Sequence, residues 1–137
     1  MSDIIDPRHE QLVEFLFRRA SLLLGFPGFS LEPLRRRKRG RGKFRSFRLG
    51  YTNLDAKKIT VDLYTPRTMK PRKVDAILRV IAHELAHHAD PPRRVRVFFS
   101  SAWQSHHPSF WRTYKRFVAA LAHDEITGTH FQKEKRD

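Results

Sequence analysis

At 137 residues the chain can hold one compact domain with a real core, and it is too short for two ordinary ones. Lys and Arg number 28 against 14 Asp and Glu, a formal charge of +14, so the surface attracts polyanions. Cysteine is absent, which excludes disulfides, thiolate nucleophiles and Cys-ligated zinc together and leaves His, Asp and Glu to hold any metal. The opening MSDIIDPRHE lacks the basic start and apolar stretch of a signal peptide, and no apolar run approaches the ~20 residues that span a bilayer. A cytoplasmic chain without a membrane partner is the expectation.

Asp6 followed by Pro7 predicts a helix start, with Asp6 as N-cap and Pro7 at the first helical position, where its missing N–H costs nothing. The helix is predicted to run to about Leu24 with Leu12, Leu16, Ala20 and Leu23 on one face, stopped by Gly25 and Pro27. Residues 35–48, RRRKRGRGKFRSFR, carry nine Lys or Arg and no acid, which predicts a self-repelling basic loop. FRSFRLGYT then suggests a strand, with Phe44, Leu49 and Tyr51 as candidates for burial. After a turn over 53–58, KKITVDLYT alternates, with Ile59, Val61 and Leu63 on one face and Thr60, Asp62 and Tyr64 on the other. That pattern predicts a half-buried antiparallel strand.

Pro66 and Pro71 bracket a connection to a second helix, from about Arg72 to Ala89, with an apolar stripe of Val74, Ile77, Leu78, Ile81 and Leu85. Asp90-Pro91-Pro92 ends it. RRVRVFFSSAWQS reads as a long loop with room for one short strand. A last helix from Pro108 to about His123 is expected to bury Phe110, Tyr114, Phe117, Val118 and Leu121, followed by a frayed tail from about 130 to 137.

The second helix carries the chemistry. Within VIAHELAHHAD, His83 and His87 stand four residues apart, about 40° round one face, a spacing at which two imidazoles can share one zinc. Glu84 lies about 100° from His83, off the ligand face but placed to meet a water on the metal. This is the H-E-x-x-H pattern, in which the carboxylate takes a proton from that water and hands it to the leaving amine. A catalytic zinc takes a third protein ligand, and the downstream candidates are His88, Asp90, His106, His107, His123, Asp124 and Glu125. His88 lies ~100° off the ligand face and reads as an exposed helix histidine. Asp90 lies one turn beyond His87 and can accept a hydrogen bond from an imidazole N–H, or simply end the helix. A histidine just before a helix can project across to another helix, and Pro108 fixes where that helix begins.

HELAHH followed after a gap by HHPSFW resembles the SprT-like metallopeptidases, with the related WLM and YgjP-like groups. The resemblance covers roughly residues 10 to 120, and FRLGYTN and KKITVDLYT sit where that family has the strands before its active-site helix. It implies a single minimal zincin-like α+β domain over 1–137. That domain would have an N-terminal helix, a small antiparallel sheet, the HExxH helix and a C-terminal helix. It also implies zinc held by His83, His87 and His106, Glu84 as general acid/base, and hydrolysis of peptide bonds. His107 stands where the family often has Gly or Ser, so a register with His107 as third ligand stays open. So does a scheme with Glu125, or Asp124, in that place. Tyr114, His107 and Tyr64 are the open candidates for an oxyanion donor.

Arg35, Arg36, Arg37, Lys38, Arg39, Arg41 and Lys43, with Phe44 and Phe47 interleaved, can meet phosphates by charge and unpaired bases by stacking. Arg93, Arg94 and Arg96 add a second patch. The expected partners are a protein or peptide substrate and DNA, single-stranded or non-specific. The family resemblance points the same way, because Spartan-like proteins cut proteins bound to DNA. The contrasting expectation is a nucleic-acid-binding module whose zinc is structural or vestigial.

Overall fold

The computed structural model describes residues 5–34, 50–65, 68–97, 100–104 and 106–131, with the backbone alone for 93–97 and 100–104. The predicted basic loop, with Arg35 to Arg39, Arg41 and Lys43, lies outside the described residues, as do Phe44, Leu49 and the end of the tail. Helix α1 spans Pro7–Leu24. The Asp6 carboxylate accepts from the N–H groups of Arg8 and His9, so two otherwise orphaned donors are capped. Gly25, at φ 91°, turns the chain into the left-handed region and satisfies the last carbonyls. The buried face of α1 is His9, Val13, Leu16, Phe17, Ala20 and Ser21, rotated from the predicted stripe, and Leu23 stays exposed.

Strands β1 (Ser30–Leu34), β2 (Gly50–Asn53) and β3 (Lys58–Asp62) form one sheet in the order β1-β3-β2. β2 pairs antiparallel to β3, but β1 pairs parallel to it, Leu31 facing Ile59. The expected purely antiparallel sheet is therefore corrected to a mixed one. The expected half-buried strand is corrected too: β3 lies between two neighbours, and residues 59 to 64 are all buried. Its polar side chains find partners inside. Asp62 receives the Arg72 guanidinium at 3.4 Å and the Tyr64 N–H at 3.3 Å. The Tyr64 hydroxyl donates to Glu10 at 2.7 Å and accepts the Asp6 N–H at 2.9 Å, tying the strand end to the start of α1.

Helix α2 spans Val74–Ala89 and α3 spans Pro108–His123, the latter as predicted. Between them the chain makes a hairpin of β4 (Arg93–Val97) and β5 (Ser100–Gln104), paired with each other and separate from the main sheet, where a long loop with room for one short strand was expected. A short 3-10 turn, Thr127–His130, follows α3. One core joins α1, β3, α2 and α3 through Leu16, Phe17, Ile59, Val61, Ile81, Leu85, Phe110 and Leu121. No helix among the described residues is long and apolar enough to cross a membrane.

Candidate metal centre

Ile77, Leu78, Ile81, Ala82, Leu85 and Ala86 commit one side of α2 to the core, which fixes the rotation of the helix and turns His83 and His87 together toward the start of α3. Pro108 starts α3, so the chain enters that helix beside the C-terminal end of α2 and His106 projects toward the same point. One nitrogen from each of His83, His87 and His106 lies within 4.8 Å of the other two. Tetrahedral zinc with bonds of ~2.1 Å needs about 3.4 Å between such nitrogens, a closure within the reach of small imidazole rotations. Neither Asp124 nor Glu125 belongs to this group: both follow the far end of α3, roughly 24 Å along the helix axis from Pro108.

Phe110 forms the floor. Its fully buried ring lies 4.5 Å from that of His87, 4.9 Å from that of His106 and 5.1 Å from that of His83. An apolar floor withholds water from the imidazoles and disfavours their charged forms. Burial lowers the pKa of His87 to about 4, with the Glu84 charge opposing and the neighbouring histidines assisting. Burial also lowers that of His106. Neutral imidazoles are the form a metal requires.

Glu84 is buried and sets its Oε2 3.2 Å from Nδ1 of His83. With Nδ1–H donating to that carboxylate, Nε2 keeps its lone pair free. Strand β2 comes down against the same helix face. A Cβ on Gly50 would stand 2.7 Å from Cγ1 of Val80, 2.9 Å from the Thr60 carbonyl oxygen and 3.5 Å from Cγ of Glu84, so only glycine allows this approach. Farther along, the Thr52 hydroxyl is hydrogen-bonded to Nε2 of His88, whose ring also meets Phe29 edge-on at 4.7 Å. His88 thus departs from the exposed histidine expected: it is part-buried and pins β2 to α2. A cavity of about 380 Å³ opens between the two elements, lined by Gly50, Tyr51, Thr52, His83, Glu84, His87 and His106 among others.

His107 is the fully buried N-cap of α3. Its Nδ1 accepts the Phe110 N–H at 3.2 Å and its Nε2–H donates to the Pro91 carbonyl at 3.0 Å, so both ring nitrogens are engaged away from the cluster. Asp90, open between a partner to a ligand imidazole and a plain helix end, reaches His107 at 3.5 Å together with the hydroxyls of Ser109 and Thr113. It staples the end of α2 to the start of α3. Of the oxyanion candidates, Tyr64 has its hydroxyl held by Asp6 and Glu10, and the ring of Tyr114 lies 5.9 Å from that of His83. The sequence reading missed Phe110 as a floor and Gly50 as a close approach; the one available signal was a glycine at the start of a strand.

No protein-family model matches the chain, nor does any curated protein. Among solved structures it is similar to the crystal structure of the metallopeptidase zymogen of Pyrococcus abyssi abylysin. The identity is 20% and the TM-score 0.43, over 85% of this chain and 86% of that one.

Proposed function

We propose that this chain is a zinc-dependent peptidase in which His83, His87 and His106 hold the ion and Glu84 carries the proton. One observation supports it above the rest: three imidazoles converge beside a buried carboxylate at the wall of an open cavity, with no fourth metal-competent side chain in the group among the described residues. Structural zinc sites are closed by four ligands, whereas catalytic ones keep a position free, which disfavours a nucleic-acid module with a purely structural ion. When bound, the ion supplies Lewis acidity toward a carbonyl and toward water.

The chain's own groups then have distinct tasks. Glu84 would take a proton from the water that adds to the peptide carbonyl and pass it to the amine nitrogen as the carbon–nitrogen bond breaks, and its burial keeps that exchange local. Phe110 excludes water from beneath the imidazoles. Among the described residues β2 pairs with β3 alone, and its residues line the cavity, so its other edge suits an extended peptide added as a further strand. The SprT-like grouping is the finer form of this reading, supported by the order HELAHH then HHPSFW. The basic balance of the chain extends it to protein substrates carried on DNA.

Metal analysis joined to a casein-cleavage assay tests the reading. Purified protein is expected to carry about one zinc per chain, lost in His83→Ala and His87→Ala. Glu84→Gln should keep the zinc and lower kcat by about 10²- to 10⁴-fold. Cleavage undiminished in Glu84→Gln, or protein that takes up no zinc, refutes it.

A further inference from the structure

We propose that the outer face of α3 docks a single strand of nucleic acid, with an unpaired base stacked on Trp111 and phosphates held by Arg112, Lys115 and Arg116. α3 reads PSFWRTYKRFVAALAH and contains no acid. Some other cations among the described residues are neutralised, Arg18 by Glu14, Arg19 by Asp124, Lys58 by Glu32 and Arg72 by Asp62. The three on α3 have no carboxylate partner among the described residues, and all three are exposed. An uncompensated row of cations on one helix keeps its field for a ligand.

Trp111 supplies what a solvated charged face would not need. It is 42% exposed, yet its ring is fixed on several sides. His106 stacks on it at 5.4 Å and 28°, Phe110 meets it edge-on at 5.0 Å, and Tyr114 does so at 5.7 Å. An aromatic plane held still and left open to solvent is a platform, since the entropy of ordering it is already spent in the fold. On the helix, Lys115 lies one turn from Trp111 and about 40° round, while Arg112 and Arg116 form the adjacent row ~6 Å apart along the axis. The Arg116 guanidinium sits 5.7 Å from the Phe117 ring, which steadies it. Charge alone would suit an acidic peptide equally well. The ring beside the charge favours a strand, because every base offers a π-face and a carboxylate offers none. Since Trp111 touches His106, a docked strand would run along the rim of the candidate metal centre and bring a protein carried on it to Glu84. Only that last consequence rests on the peptidase reading.

The chain has two tryptophans, so Trp103→Phe leaves Trp111 as the sole reporter. Titrating that protein with a twelve-residue oligo-dT should quench the Trp111 emission saturably, with an affinity that falls as salt rises. Replacing Arg112, Lys115 and Arg116 by Glu in the same background should weaken binding more than tenfold. It should also flatten the log–log salt slope by roughly 2, at about 0.7 per phosphate contact. Trp111→Leu, followed by the anisotropy of a labelled oligo-dT, should weaken binding about tenfold. Circular dichroism checks that these exposed substitutions leave the fold intact, and replacement by Gln serves where Glu does not. If oligo-dT binds with Trp111 emission unchanged, the strand docks elsewhere and the proposal is overturned. Quenching by polyglutamate and not by oligo-dT overturns it in favour of an acidic peptide. Zinc content and casein cleavage are read separately, so a failure of the peptidase reading leaves the Trp111 result standing on its own.

Discussion

The two ends of α3 both gather histidines and acids, and they have opposite characters. Beyond the C-terminal end, Asp124 accepts from Arg19 at 2.6 and 3.1 Å and from the N–H groups of Ile126 and Thr127 at 3.0 Å each. Those donors, the Arg19 hydrogen bonds first, hold its carboxyl well below the usual carboxylate range. Both carboxylate oxygens of Asp124 are met by donors, and the result is a joint between α1 and α3. Before the N-terminal end, His106 brings its imidazole toward those of His83 and His87 over the apolar ring of Phe110, and burial favours the neutral forms of His87 and His106. Lone pairs that converge without donors are what a cation requires. Residue type alone does not separate a site from a joint; the ownership of the lone pairs does.

Mutations at the two ends should sharpen that contrast. The largest effect is expected from His106→Ala, which should weaken zinc binding by more than the ~100-fold typical of losing an outer partner. Asp124→Asn and Glu125→Gln should leave zinc affinity unchanged. Equilibrium zinc titration checks all three, and loss of zinc in Glu125→Gln would erase the distinction. Next comes His107→Ala, which strips partners from the buried Phe110 N–H and the Pro91 carbonyl and leaves a cavity. It should cost about 3 to 5 kcal/mol in urea unfolding of the metal-free protein. His106→Ala in the same assay should cost little, because His106 is exposed. Gly50→Ala should follow at about 1 to 3 kcal/mol, since its Cβ would press on Val80 and on the Thr60 carbonyl oxygen. It should also reduce peptide cleavage at unchanged zinc content, and Val80→Ala should restore part of the loss. The smallest effect belongs to Arg19→Gln. Its target carboxyl has a folded pKa below the unfolded value of about 4, so the pair stabilises at neutral pH and that contribution fades as pH falls below about 4. Parent and variant melting curves should therefore differ at pH 7 and converge in acid.

The helices were legible because their ends are written in local chemistry. Asp6-Pro7, Gly25 and Pro108 set boundaries that owe nothing to the rest of the fold. The candidate site was legible for a related reason: a four-residue spacing on one helix fixes His83 against His87, and Pro108 fixes the approach of His106. The sheet was less so. β1 contains Pro33, shows no alternation, and takes its direction from a partner 28 positions away, Ser30 facing Lys58. Alternation in β3 reported two faces but not that both would be covered. The role of His107 was hidden because a buried cap and a metal ligand ask for the same ring; only the Pro91 carbonyl at one nitrogen and the Phe110 N–H at the other tell them apart. In the same way His88 was read from its angle on the helix, while its partners Thr52 and Phe29 come from distant parts of the chain.

The hydrogen bond from His107 to the Pro91 carbonyl closes a loop whose contents are the β4–β5 hairpin. Because the neck is fastened by His107, Asp90 and Ser109, the third imidazole is located by the fastening and not by the length of chain strung between. The hairpin is in that sense an exchangeable cassette. Doubling a flexible loop costs only about 0.6 kcal/mol, so longer, shorter or differently sequenced inserts between Pro92 and His106 should be accepted without disturbing the cluster. For protein engineering this marks a place, beginning at the cavity-lining Pro92, where recognition elements can be grafted and selected from libraries.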